Sequence, residues 1–303
     1  MSSSAELPFV AAPAGDLAAL TPVAIAAAHA WGLPAPTLLR LGMNAVFAAG
    51  DEVVLRVSRP TAAPVAALEL ARALLDAGLP VPRPVRDEPF IDGDVAVFAF
   101  EQLHPSGAPI DWAAVGRIVR RLHGLDPSTF PVAYPSPRGS SFPWWDLDTL
   151  VTAIGPAVDT VALRSMRACV ERHRATMEAD RTAPTVVCHG DVHPGNVVQT
   201  ASGPVLLDWD LLCREPIGWD HGPLITWTER WGGEPGVYEA FAAGYGADLR
   251  SDRFAVAFAE LRLLAATLMR VRAGLSNAAA AEEAERRLRW WRGDPDAPPW
   301  TAA

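Results

Sequence analysis

The 303-residue chain contains no lysine: all 26 residues of its Lys+Arg total are arginine. That absence removes every mechanism that needs an amine side chain, including Schiff-base catalysis, pyridoxal-phosphate anchoring and a Walker-type phosphate lysine. Cysteine is scarce as well. The three present, Cys169, Cys188 and Cys213, are odd in number and lack C-x-x-C spacing, so neither a disulfide framework nor a structural zinc site is indicated, and a reducing cytoplasm fits. Excess positive charge is missing too. The formal net charge is −9 and no stripe of arginines could track phosphates, so no nucleic-acid partner is expected, whereas an acidic surface tolerates cationic small molecules. No long hydrophobic run exists: the stretch from Leu17 to Leu39 is broken by Pro22, Pro34 and Pro36 and contains His29, so no membrane span is expected. The N-terminal MSSSAELPFV carries Glu6 instead of a basic region, so no secretory signal is expected.

What the chain does have is the composition of a folded protein, half apolar and one-fifth charged. Its length is about twice the ~150 residues typical of one domain, which predicts two lobes or one large domain. Residues 17 to 31 read as an alanine-rich helix. Short β-type runs then alternate with turns: Gly50-Asp51 precedes a strand Val53–Val57, a helix capped by Thr61 ends at Gly78 and Pro80, and VPRPV and VAVFAF read as two further strands around the DGD turn at 92–94. Past residues 101–108 the period changes to that of amphipathic helices, one capped by Asp111 and another region from Asp146 to Glu178 broken at Gly155-Pro156. Strand patterning returns between Thr185 and Asp208 as a hairpin inserted among helices, and the tail, 252–273 and 276–291, is helical again. The division predicted is 1–103 and 104–303.

The chemically informative segment is VVCHGDVHPGNVVQTASGPVLLDWD, residues 186–210. It places Asp191, Asn196 and Asp208 on two loops joined by a short hairpin, where they can converge. Asn196 and Asp208 offer hard oxygen donors that suit Mg²⁺. Asp191 is then a free carboxylate able to accept a proton from an attacking hydroxyl.

HGDVHPGN at 189–196 followed by DWD at 208–210 resembles the aminoglycoside phosphotransferase group of small-molecule kinases, relatives of choline kinase with a protein-kinase-like fold. LLDAGLPVPRPV at 74–85, RIVRRLHGLDP at 117–127 and REPIGWDHGPL at 214–224 extend the likeness over about 38–270. The resemblance implies an α+β, two-lobed fold: an N-terminal antiparallel sheet with one helix, and a mainly helical C-terminal lobe. It implies transfer of the γ-phosphoryl of ATP or GTP to a hydroxyl of a small metabolite or antibiotic, with magnesium as cofactor. Asp191 would be the catalytic base, Asn196 and Asp208 the metal ligands, Asp220 the buried brace of the catalytic loop and His189 a support packed beneath it. The linker backbone from Glu101 to Leu103 would hold the purine. Arg56, in VVLRV, stands where such kinases place a lysine; it would bind phosphate and pair with Glu69, and Asn44 in the thin loop LGMNAVFAAG would touch phosphate.

Two other readings are open on sequence. The missing lysine and sparse glycine loop suit a nucleotide-binding pseudokinase, and His189, Asp191 and His193 could be ligands of a metal-dependent hydrolase. Eleven tryptophans are mainly packing residues, yet Trp144, Asp146, Asp148, Trp227, Glu229 and Trp231 form an aromatic and acidic set suited to stacking on a sugar or nucleoside and holding a cation.

Overall fold

The sheet of the first lobe owes its orientation to alternation along one strand. The computed structural model describes residues 15–60 and 63–301. Helix α1 (Leu17–Ala30) starts at Asp16, whose side chain accepts from the Ala19 N–H. Strands β1 (Thr37–Leu41), β2 (Ala45–Ala48) and β3 (Val53–Ser58) precede helix α2 (Pro64–Asp76), and β4 (Phe90–Asp92) and β5 (Val95–Glu101) follow it. The five strands form one antiparallel sheet in the order β1-β2-β3-β5-β4. On β3, Leu55 and Val57 are buried in the cluster that α1 completes with Leu20, Ala24 and Ala27. Successive side chains on a strand point to opposite faces. Val54 and Arg56 therefore face the other way, beside Val46, Phe98 and Phe100, into a cleft roofed by α2.

Two local expectations change. VPRPV is not a strand: only Pro84 makes an isolated bridge, to Phe100, and the strand paired with β5 is β4 at Phe90–Asp92. Pro82 and Pro84 have no N–H to donate, so a ladder cannot run through them. Thr61, the expected cap of α2, lies outside the described residues, as do residues 1–14; α2 itself begins with Pro64 at its first turn.

The second lobe begins with α3 (Trp112–His123), capped by Asp111, whose side chain accepts from the Ala114 N–H at 2.9 Å. Helices α4 (Leu147–Ile154) and α5 (Thr160–Asp180) are separated at Gly155-Pro156 as expected. Next come β6 (Val186–Cys188), β7 (Val197–Thr200), β8 (Gly203–Leu206) and β9 (Cys213–Glu215). β7 and β8 form the predicted hairpin, while β6 pairs with β9, a strand that the sequence pattern does not announce. Helices α6 (Gly218–Ile225), α7 (Trp227–Trp231), α8 (Val237–Tyr245), α9 (Arg253–Gly274) and α10 (Ala278–Trp291) complete the chain. One apolar cluster joins α4, α5, α9 and α10. Another runs from α2 through α3 and the β7–β8 hairpin to α8, so a single core supports both walls of the cleft. The architecture is the two-lobed α+β arrangement expected. No helix of the described residues is long and apolar enough to cross a membrane.

Candidate active site

The loop between β6 and β7 carries HGDVHPGN, and its backbone is held from below. Gly190 has φ +92°, and a Cβ there would fall 2.1 Å from the Leu211 carbonyl oxygen, so only glycine fits. Asp220, wholly buried on α6, accepts from the backbone N–H groups of His189 and Gly190 at 2.8 Å each, and its Oδ2 also lies 3.0 Å from His123 Nε2. His123 in turn meets the Tyr245 hydroxyl at 2.9 Å. Burial would raise the Asp220 carboxyl, but these hydrogen bonds outweigh it and leave the group below its ordinary value.

His189 lies against the Leu207 carbonyl oxygen through Nε2 at 3.0 Å and accepts from the Asp191 N–H through Nδ1 at 3.2 Å. That pattern defines a neutral ring with its proton on Nε2, in keeping with burial, which lowers its basicity. His193 Nδ1 accepts from the Gly195 N–H, while its Nε2 lies 3.3 Å from Asp191 Oδ2. Each ring has both nitrogens beside protein groups, His189 at Leu207 and Asp191 and His193 at Gly195 and Asp191. Among the described residues His189, Asp191 and His193 do not form a grouped ligand set, so the geometry does not favour the hydrolase reading, which needs these imidazoles as metal ligands.

Asp191 sits in a ring of donors. Arg262, from α9, donates to its Oδ1 and also to the Gly190 carbonyl oxygen at 2.7 Å. Asn196 Nδ2 donates to Oδ2 at 3.1 Å and to the Asp191 carbonyl oxygen at 3.0 Å. Burial pushes the Asp191 carboxyl up, but the Arg262 guanidinium and His193 hold it well below the usual carboxylate range. It is an ionised acceptor, suited more to orienting a hydroxyl than to strong basicity. With its amide nitrogen committed to Asp191, Asn196 keeps Oδ1 as an oxygen donor. The Leu207 N–H bonds the Asn196 carbonyl oxygen at 2.9 Å, which sets Asp208 beside it.

Asp208 has φ 60°, the single non-glycine residue with positive φ among the described residues. Such a left-handed conformation costs roughly 1 kcal/mol or more and is tolerated where surroundings fix it. Burial first, and then the neighbouring carboxylates of Asp210 and Asp191, push the Asp208 carboxyl up, against the pull of Arg56. Arg56 reaches across from β3, placing Nη1 3.1 Å from Asp210 Oδ1 and Nη2 against Asp210 Oδ2 and, at 3.3 Å, Asp208 Oδ1. With the Asn44 amide oxygen turned towards Arg56, it accepts from Nη2 at 2.8 Å. These groups, with Arg40 and Glu101, edge a cavity of about 340 Å³ whose remaining walls are mainly apolar, among them Val46, Val54, Leu70, Val81, Phe100 and Leu103.

The structure thus brings together Asp191, Asn196, Asp208, Arg56 and Asn44, with His189 and Asp220 beneath. Glu101 and Leu103 line the cavity at the end of β5. The Glu101 and Gln102 N–H groups bond Arg83 and Glu52 carbonyls, while the Leu103 N–H makes no hydrogen bond to described residues. Other expectations are corrected. Glu69 is exposed on α2 and forms no pair with Arg56; the α2 residue that lines the cavity near that strand is Ala67, and Glu69 is two residues further round the helix. Asp146 is the N-cap of α4 and Asp148 pairs with Arg174, so neither carboxylate is available to hold a cation. Trp227 stacks with His193 and with Trp231, ring centroids 6.0 and 5.9 Å away. Trp144 stacks on Phe142 and lies under the Arg262 guanidinium, and Trp231 carries Arg287 over its ring. These half-buried rings already have partners: Trp227 braces His193 and Trp144 braces Arg262. Glu229 is exposed and has no partner among the described residues.

Three participants escaped the sequence reading. Arg262 had a signal, a lone cation between Leu261 and Leu263 on a helix whose neighbours are buried. Asp210 stood within the DWD motif, and His123 within RRLHGLDP, but nothing in sequence said what either would touch.

Solved structures sharing this fold include a thermostable mutant of aminoglycoside phosphotransferase APH(4)-Ia, at TM-score 0.66 and 13% identity, covering 90% of this chain and 99% of that one. Aminoglycoside phosphotransferase APH(3'')-Id from Streptomyces rimosus, in complex with ADP and streptomycin, matches at TM-score 0.59 and 22% identity over 83% of this chain and 99% of its own. A choline/ethanolamine kinase family protein from Mesorhizobium loti matches at TM-score 0.60 and 20% identity over 86% and 89%. No curated protein sequence gives a significant match. The profile of the phosphotransferase enzyme family matches residues 38–258, well over half of the sequence, and the loops just described lie inside that span. The chain belongs to the phosphotransferase enzyme family.

Proposed function

We propose that this protein is a small-molecule kinase that moves the γ-phosphoryl group of a nucleoside triphosphate, ATP or GTP, to a hydroxyl of a small metabolite or antibiotic. The observation that carries the reading is the meeting of Asn196 and Asp208 with Arg56 at the edge of one cavity, with Asp191 held against Asn196. The cavity suits a purine, and the free Leu103 N–H is a donor for its edge; the working boundary between nucleotide lobe and catalytic lobe is 103/104. The Asp208 carboxylate and the Asn196 Oδ1 are hard oxygens, a donor set that fits magnesium, which would neutralise charge on the triphosphate. Arg56 supplies a fixed cation to the phosphates. Asp191 accepts the hydrogen bond of the acceptor hydroxyl and takes its proton as the new P–O bond forms and the bond to the nucleoside diphosphate breaks.

The acceptor reading is narrower than the sequence suggested. Two of the three carboxylates that might have gripped a polycation, Asp146 and Asp148, are engaged elsewhere, and Arg262 adds a positive charge beside Asp191. An uncharged hydroxylated acceptor fits this wall better than a polyamine. The test is magnesium-dependent nucleotide consumption over a panel of hydroxylated antibiotics and metabolites. Asp191→Ala should keep nucleotide binding and lose about 10²–10⁴ in rate; near-normal turnover in that variant would refute the assignment.

A further inference from the structure

We propose that Asp210 is the positioning residue for Arg56, doing from the loop after β8 what a helix carboxylate does for the strand cation of a protein kinase. The inference rests on the kinase reading above and deepens it. In protein kinases the strand lysine must pair with a glutamate on the neighbouring helix before the site works. Here α2 has no such group to offer. Its residues on the cleft are Ala67, Leu70, Ala71 and Leu74. Ala67 also shares a small recess with Arg56, Ser58 and Asp210. Glu69 is displaced from Ala67 by two residues, about 200° around a helix, and is exposed.

The carboxylate comes instead from Asp210, which both terminal nitrogens of Arg56 engage, Nη1 to Oδ1 at 3.1 Å and Nη2 to Oδ2. A planar fork meeting a carboxylate side by side is fixed in direction as well as attracted. Lysine, a point charge on a flexible stem, could not be held this way. The contact at 3.3 Å to Asp208 is secondary and lies on the metal-binding carboxylate. Asn44 completes the cradle from the β1–β2 turn. The cation is therefore tied to the loop that bears Asp208, and its placement does not depend on how α2 sits.

The test measures ADP binding without metal, by calorimetry, in the full chain, with thermal melts confirming that each variant is folded. Side-chain exposure of 35% at Asp210 makes Asp210→Asn a mild change for the fold. Asp210→Asn should weaken metal-free ADP about tenfold, the cost of one misplaced charge-assisted contact. Arg56→Met should weaken it further, because two carboxylates then face the phosphates uncompensated. Adding Asp210→Asn to Arg56→Met should strengthen binding relative to Arg56→Met alone, a reversal of sign that only direct coupling produces. Ala67→Glu should restore affinity to Asp210→Asn by returning a carboxylate to α2. Additive effects of the two substitutions would overturn the proposal, and so would unchanged metal-free affinity with only a raised magnesium requirement, the mark of a metal ligand. If the unaltered protein bound ADP neither with nor without magnesium, the kinase reading itself would fall, an outcome distinct from either.

Discussion

Replacing Asp220 by asparagine isolates what holds the catalytic loop. The carboxylate is wholly buried and accepts three hydrogen bonds, two from the backbone N–H groups of His189 and Gly190 and one from His123. Asparagine keeps the shape but turns one acceptor into a donor, so at least one buried N–H loses its partner and faces an NH₂ group. A buried donor left unsatisfied costs about 1–3 kcal/mol, and breaking a buried ionic arrangement from one side about 3–5 kcal/mol. We expect a loss of about 4 kcal/mol. At about 2.1 cal/mol/K of unfolding entropy per residue, that lowers the Tm of a chain of this length by roughly 6 °C. The sign with pH is fixed: the folded carboxyl lies below its ordinary value of 3.8, so its stabilisation is complete above about pH 4 and is lost as pH falls through the lower folded value. The gap between the two proteins should be constant from neutral pH down to about pH 5 and close below about pH 4. Scanning calorimetry across pH, with nucleotide affinity in parallel, checks this. An Asp220→Asn protein melting within about 1 °C of the parent, as a surface substitution would, with unaltered affinity, refutes the brace.

Gly190→Ala should be poorly tolerated, losing about 3 kcal/mol or more, because positive φ and the Leu211 carbonyl both oppose a Cβ; chemical denaturation reads the loss, and a wild-type midpoint would contradict it. Burial, and then the adjacent Asp180, raise Glu215 from 4.5 to about 8, so its unfavourable ionisation in the fold makes stability fall as pH climbs from about 4.5 to 8. Glu215→Gln should flatten that slope in melts taken across the range, and an unchanged slope would show that Glu215 titrates normally. Arg262→Gln removes the main charge holding Asp191 ionised, so the acid limb of the kcat/KM profile should move to higher pH, and a limb that stays put would argue against Arg262 acting through Asp191.

Much of the fold was readable because it rests on local patterning. Asp111 before an apolar-periodic run, Gly155-Pro156 between two helices and Gly50 before β3 are signals confined to a few residues, and each marks the boundary observed. VPRPV misled because its apolar spacing resembles a strand while its prolines deny it a ladder. β9 was missed because a three-residue strand takes its identity from its partner β6, 25 residues earlier. The tryptophans show the same limit. Nothing about Trp227 in sequence tells which rings it meets, and only the packing brings it against His193 and Trp231.

The sequence by itself determined the chemistry available: no amine side chain, a carboxylate and an amide five residues apart, and two further carboxylates beyond a hairpin short enough to bring the loops together. It did so because those residues lie within one continuous segment, where spacing limits separation. The tertiary structure decided the pairing. Arg56 lies more than 150 residues from Asp210, and Arg262 about 70 from Asp191. Which carboxylate each cation meets follows from where β3, α2 and α9 pack, a matter of side-chain direction on elements whose contacts no local pattern encodes.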